Sequence, residues 1–297
     1  MIEKESRDAN IVCHWANADH EGAAAAIVKG LSARDTKPVG ARPGYLIHTS
    51  GTGVLLFGDM DKDVYGGSSD HVYNDWDNLS EVTGLPDHAF HRVVDKIVLQ
   101  ADPSTEKVRT AIVCPPTIYG PGRGPGNIRS HQVPELSRCT IEQGHGIMVG
   151  AGKTHWTEVH VQDLSDLYLK LVEAAVVEFE GNKSNATWGS EGYYFAENGD
   201  FQWGDVARWV AEAAEKQGLI ESAEVRSVDK DAANKLTVVG AALWGANSRV
   251  KAIRARKLLG WQPTKPSLKD TVPETVAFEA KKLGRAKGHA TKAAGDA

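Results

Sequence analysis

The 297-residue chain is 41% hydrophobic and 25% charged, an ordinary globular balance with length for one large α/β domain or two smaller ones. A net charge of −5 gives no bulk attraction to nucleic acid or to an anionic membrane, and no apolar run approaches the roughly 18 residues of a membrane span or forms a secretory leader. Cys13, Cys114 and Cys139 are widely spaced without a CxxC pair, so neither a disulfide framework nor a zinc knuckle is indicated, and the expected setting is a reducing cytoplasm.

In chain order, "NIVCHWA" (10–16) reads as a buried strand, followed by a helix in "DHEGAAAAIVKGLSA". "GYLIHTSG" (44–51) is a second strand, opened by Pro43-Gly44 and closed by small polar residues. A helix starting after Pro86 and running over 88–101 is read from "LPDHAFHRVVDKIVLQA", and "KVRTAIVCPP" (107–116) is a third strand stopped by two prolines. A Gly/Pro-rich loop, "PPTIYGPGRGPGN" (115–127), leads to a helical "SHQVPELSRCTIEQG". "GIMVGAGKTHWTEVHVQDLSDLYLKLVEAA" (146–175) gives two short strands and a long helix capped near Asp163. "GYYFAENGDFQWGDVARWVAEAAEKQG" gives a strand, a turn and a helix capped at Gly204-Asp205. A short basic helix ending at Gly260 and a further helix follow, and 281–297 has the composition of a disordered basic tail. Apolar strands alternating with helices indicate an α/β fold: a partial doubly wound parallel (Rossmann-type) sheet with a smaller, interleaved C-terminal α/β lobe. The division expected is 1–120, with returning segments near 156–198, for the sheet, and 121–280 mainly for a substrate lobe.

The glycine runs carry little on their own. "GAGKT" (150–154) has the wrong upstream spacing for a phosphate loop and precedes a strand, so a hairpin turn explains it better. "GPGRGPG" (120–126) has prolines where backbone donors are needed, and no G-x-G-x-x-G occurs in the chain. The 11 histidines show no partner at metal-ligand spacing. "HTSGTG" (48–53) is more informative, because ligands of doubly wound sheets bind at the carboxyl ends of strands. There Thr49, Ser50 and Thr52 offer hydroxyls, and Gly51 and Gly53 let a ligand approach the backbone.

Taken together, "IVCHWANADHEG", "GYLIHTSGTG", "HRVVDKIV", "VRTAIVCPPTIYGPGRG", "VGAGKTHWTEVHVQDLSDLYL" and "ARKLLGWQP" resemble the extended short-chain dehydrogenase/reductase superfamily, its NAD-dependent epimerase/dehydratase group, and most of all atypical fungal-type members. The resemblance runs from about residue 8 to 280 and is specific as a set. It implies a Ser/Thr, a Tyr and a Lys four residues after the Tyr as the catalytic set. Carried over, Ser50 takes the Ser/Thr place, Lys96 the Lys place, and Arg92 stands where the Tyr belongs. An arginine does not release a proton near neutral pH, so His88, His91 or Tyr73 is the expected substitute, histidine suiting proton transfer by its pKa.

The resemblance further implies NAD or NADP, with Ala16, Thr49, Ser50, Lys96, Pro115, Pro116 and Thr117 lining the cofactor groove, and His91, Arg123, Asn127 and Arg129 facing a small-molecule substrate, a carbonyl compound or a sugar. It leaves room for a homodimer paired through the 88–101 helix, and for no nucleic-acid or membrane partner. The sequence departs from the family at its front, starting where the fourth strand should be, without the glycine fingerprint that holds the pyrophosphate. Three readings follow: an NAD(P)-dependent oxidoreductase or epimerase-like enzyme, a catalytically weak or inactive NAD(P)H- or metabolite-binding regulatory module, or a truncated form unable to bind cofactor. The expectation common to the first two is that Ser50 and Lys96 meet over one cleft.

Overall fold

A computed structural model of the chain describes residues 1–34, 42–101 and 107–285. The chain opens with α1 (Ile2–Asp8), β1 (Ile11–His14) and α2 (Glu21–Ser32), then β2 (Gly44–Thr49), α3 (Phe57–Asp61), β3 (Tyr73–Asn74), α4 (Leu79–Thr83), α5 (Arg92–Leu99) and β4 (Val108–Cys114). The second stretch runs through β5 (Thr117–Tyr119), α6 (Gln132–Gln143), β6 (Gly146–Val149), β7 (His155–His160), α7 (Val161–Phe179), β8 (Tyr193–Phe195), β9 (Asp200–Gln202) and α8 (Trp203–Lys216). It finishes with β10 (Val225–Val228), α9 (Lys230–Leu236), α10 (Gly240–Gly245), β11 (Val250–Lys251), α11 (Arg254–Leu259) and α12 (Leu268–Lys282).

The central sheet is parallel with the order β1-β2-β4-β8, and β1 forms its edge among the described residues. In β2 the run from Gly44 to His48 is buried, and in β4 all but Arg109 is buried, as expected of strands covered on both faces. Side chains alternate between the two faces. Tyr45 and Thr49 face α7, where they meet Glu178 and Tyr168, whereas His48 and Ser50 face α5 and meet Asp95. The register pairs His14 with His48 and Ile112 with both His48 and Tyr193, so polar groups from three strands line up on the α5 side. α1 packs on α2 through Gly30, where an added Cβ would lie 2.3 Å from the Glu3 carbonyl oxygen.

Two apolar cores result. One gathers β2, β4, β8, α2, α5 and α7 around Leu46, Ile47, Ile112 and Leu171. The other gathers α6, α8 and α12 around Trp203, Val210, Leu136 and Val276. Several local expectations change. Residues 87–91 are turns and a bend, and α5 begins only at Arg92, because His91 takes a left-handed backbone (φ 64°) that ends any continuous helix from 88. The Gly150–Thr154 turn does not close a hairpin: β6 pairs with β10, and β7 pairs with β5 and β9. α7 is capped by the His160 ring, which accepts from the Gln162 N–H, while Asp163 instead accepts from the Thr264 and Lys265 amides. α8 starts at Trp203 with no side-chain cap. Of the tail, residues 281–285 are described, Lys281 and Lys282 closing α12, and the disorder expected for 286–297 lies outside the described residues. No described helix is long and apolar enough to cross a membrane.

Candidate functional site

The carboxyl ends of β1 and β2 carry a buried polar chain. His14 and His48 face each other through Nδ1 at 2.9 Å, so one ring must donate and the other accept. His48 Nε2 lies 3.8 Å from Asp95 Oδ1. Asp95 Oδ2 accepts from the Ser50 hydroxyl at 2.9 Å and from the Tyr193 hydroxyl at 3.4 Å. Burial pushes the Asp95 carboxyl up to about 7, against the opposing pull of the Ser50 hydrogen bond and the Arg92 charge. Burial likewise pushes the His48 imidazole down to about 3, with His14 and His91 adding in the same direction. His14 Nε2, His48 Nε2 and Asp95 Oδ1 are buried and have no hydrogen-bond partner among the described residues. A neutral Asp95 carboxylic acid beside a neutral His48 imidazole is the state this environment favours at pH 6.

Above this chain sits His91. Its Nδ1 is 2.8 Å from Asp19 Oδ1, in the turn between β1 and α2. Its Nε2 faces the strand-end glycines, where a Cβ added to Gly51 or Gly53 would come within 3.1 Å or 3.3 Å of it. The glycines therefore make room for an imidazole, not for a nucleotide passing over the backbone. With Nδ1–H given to the Asp19 carboxylate, Nε2 carries the free lone pair, the arrangement of an oriented general base. His91 holds its left-handed backbone without being glycine, a local cost that the Asp19 contact and the packing at Gly51 offset.

The family-derived trio does not assemble. Ser50 is 5% exposed and bound to Asp95. Lys96, the next residue along the helix and about 100° further round it, pairs with Asp87 at 2.8 Å and lines an outer groove with Thr83, Leu99 and Ser190. The expectation that Ser50 and Lys96 meet over one cleft is therefore corrected: the sheet covers the Val94–Asp95–Val98 side of α5, and Arg92 and Lys96 share the other side. Arg92 is buried and ties down the loop before α5, donating to the Leu85 and Thr83 carbonyls. His88 pairs with Asp61 at 3.0 Å, and Tyr73 lies against His71 in the short β3–β11 pairing. Of the expected substitutes, only His91 stands at the strand ends.

The other expected residues fall as follows. Ala16 is exposed in the turn that carries Asp19, next to Trp15, whose ring stands edge-on to Tyr168. Thr49 shares a hydrogen bond with the Tyr168 hydroxyl. The Pro115 carbonyl accepts from the Thr52 N–H at 3.0 Å, Pro116 lines the cavity beyond it, and Thr117 is buried with its hydroxyl unpartnered among the described residues. Arg123 and Asn127 are exposed, Asn127 bracing the Arg129 backbone at 3.0 Å. Arg129 turns inward to Glu279 and Glu135.

Sequence reasoning missed His14, His48, Asp19 and Asp95. A signal existed for His14 and His48, since "IVCH" and "LIHT" are apolar strands that run into a histidine. Another existed for Asp95, an acid flanked at helical spacing by the apolar Val94 and Val98.

A nicotinamide nucleotide meets this site unevenly. At the strand ends the polar groups are Thr49, held by Tyr168, Ser50, held by Asp95, and the His91 ring, with Trp15 exposed beside them. The glycine turn at 51–53, which opens the helical stretch after β2, is filled by the His91 ring, and α2 starts with Asp19 and Glu21 nearby, the His20 ring taking its Ala23 N–H at 3.0 Å.

A family model described as the NAD dependent epimerase/dehydratase family matches residues 60–186. A curated relative, oxidase ucsJ of an Acremonium species, is 40% identical over 290 residues, covering 96% of this chain and 82% of its own. Among solved structures, the PbgP3 protein of Burkholderia pseudomallei superimposes with a TM-score of 0.60 at 15% identity, over 96% of this chain and 82% of that one. The UDP-glucuronic acid 4-epimerase of Bacillus cereus, in complex with UDP-glucuronic acid and NAD, gives 0.59 at 13% identity, over 95% and 78%. At these identities the two structures share the fold.

Proposed function

Because the chain belongs to the NAD-dependent epimerase/dehydratase family, we propose that it is an NAD(P)-dependent oxidoreductase whose proton-transfer group is His91, acting on a small carbonyl or hydroxyl compound. The observation that carries this reading is the His91 imidazole, fixed by Asp19 at 2.8 Å with Nε2 aimed at the ends of the central strands. When bound, a nicotinamide supplies hydride acceptance or donation. The residues here hold and move the proton. His91 Nε2 takes it from a substrate hydroxyl, or returns it to a carbonyl oxygen, and the Asp19 carboxylate stabilises the imidazolium that forms.

Ser50 adds a second hydrogen bond at the same oxygen. While Asp95 is ionised, the Ser50 proton points at Asp95 and the Ser50 oxygen accepts. Once Asp95 is protonated, its own O–H can satisfy Ser50 and release the Ser50 proton towards a carbonyl. The sheet residues of 1–120 and 156–198 supply this chemistry, and 121–280 shapes the substrate side. The acidic start of α2 disfavours a diphosphate there, which favours weak cofactor binding by these residues and keeps a metabolite-binding regulatory module as the second reading.

The test is turnover of NAD+ or NADP+ with a panel of secondary alcohols, and of the reduced forms with the matching ketones, for the wild type, H91Q, D19N and S50A. The reading expects H91Q to lose activity by about 10²–10⁴-fold, the usual scale of general acid–base catalysis, and D19N by less. Full activity in H91Q refutes the assignment of His91. Saturable nucleotide binding with no turnover across the panel favours the second reading.

A further inference from the structure

Past the Pro115 carbonyl that meets Thr52, the chain runs through Pro116 to the loop 120–131. A cavity of about 300 Å³ runs from Pro116 and Val161 along this loop. It shares Gly120, Ile128, Arg129 and Ser130 with a second of about 190 Å³, closed by Pro121, Pro134 and Phe278. Together they run from Pro116 towards α12. Their shared wall decides what they can hold.

Among the described residues, Arg129 is the one arginine or lysine lining either cavity. Its guanidinium is already matched. Nε and an Nη donate to the two Glu279 oxygens at 2.7 and 3.1 Å, and the Glu135 carboxylate lies 2.8 Å away. The Glu279 side chain is 1% exposed, so drawing Arg129 away would strand a buried carboxylate. Among the residues lining the two cavities a diphosphate finds no uncommitted arginine or lysine, and it meets the Glu274 carboxylate on the wall. What the cavity does offer is apolar: Ile128 and Phe278, each 42% exposed at its mouth, and the rings of Pro121 and Pro134. Exposed side chains of this size around a concave apolar surface mark a ligand site.

We propose that this cleft takes an uncharged carbonyl or hydroxyl compound bearing an apolar ring or branched chain, and rejects nucleoside diphosphate sugars. The proposal rests on the strand-end site as the place of reaction but concerns binding alone. It separates this chain from the structural neighbour solved with UDP-glucuronic acid: the fold is shared, and the charge balance in this chain's cleft does not suit a diphosphate.

The experiment is saturation-transfer NMR and calorimetry on the full chain with two probes, 2-acetonaphthone and UDP-glucose. The neutral ketone is expected to bind saturably, and I128D and F278D, both at partly exposed positions, to weaken it at least tenfold each. K96A, whose side chain lines a different groove, is expected to bind it as the wild type does, and because the readout is binding and not turnover, failure of this proposal stays distinct from failure of the His91 reading. UDP-glucose is expected to show no binding at millimolar concentration. Micromolar UDP-glucose binding, absence of ketone binding, or ketone binding indifferent to both substitutions overturns the proposal. Circular dichroism of each variant confirms that it is folded before it is scored.

Discussion

Replacing Asp95 with asparagine tests the physical basis of the buried chain. Asp95 is fully buried and its carboxyl is pushed from 3.8 up to about 7, burial being the largest cause. The folded state thus holds this proton more tightly than the unfolded state. The stability it confers is present below the unfolded pKa and is lost as pH rises through the folded one. The shift corresponds to a loss on the order of 4 kcal/mol between pH 4 and 7. The asparagine keeps an oxygen for the Ser50 hydroxyl and never ionises, so D95N escapes that loss. His48 and Glu158 also titrate abnormally, His48 pushed down to about 3 and Glu158 up to about 7, both by burial. Both are present in variant and wild type, so their contributions largely cancel in the difference. Urea unfolding at half-unit steps from pH 4.5 to 8 is the assay. The stability of D95N relative to wild type should rise by about 1.4 kcal/mol per pH unit up to pH 7 and then level off. A difference that stays constant over this range would refute the buried, proton-holding Asp95.

Lys96→Ala should leave the urea midpoint nearly unchanged, because its partner Asp87 is exposed and solvent screens the pair, and should leave any nicotinamide-dependent rate within about twofold. A loss of activity like that of H91Q would restore Lys96 to the site. Arg92→Ala should cost about 2 kcal/mol by leaving the Leu85 and Thr83 carbonyls without their buried donor, read as a lower urea midpoint. Arg129→Met should cost about 3–5 kcal/mol by isolating the buried Glu279 charge. The double variant Arg129→Met with Glu279→Gln should recover most of that loss in the same melts, and failure to recover would show that the pair is not the source of the cost.

The sheet was legible because "YLIH" and "TAIVC" are apolar along both faces, which only a strand covered on two sides tolerates. The site was legible only in outline. Spacing places Arg92 and Lys96 on one face of a helix, but it does not say which face the sheet covers, and here the sheet covers Asp95 instead. The His14–His48 contact joins residues 34 apart through strand register, which no local pattern encodes. The start of α5 was misplaced for a related reason: Pro86 suggested a first helical turn, but His91 bends the backbone left-handed to reach Asp19. The glycines at 51 and 53 were read as letting a ligand approach the backbone, whereas the fold places the His91 ring against them.

The most direct test of the account is the side-chain spectrum of the histidines in ¹⁵N-labelled protein during titration with NADH, with H91Q used to assign the His91 ring. The account predicts that the His91 ring nitrogens shift saturably while those of His88, paired with Asp61, stay in place. A His91 signal that does not move as NADH saturates the protein would contradict it.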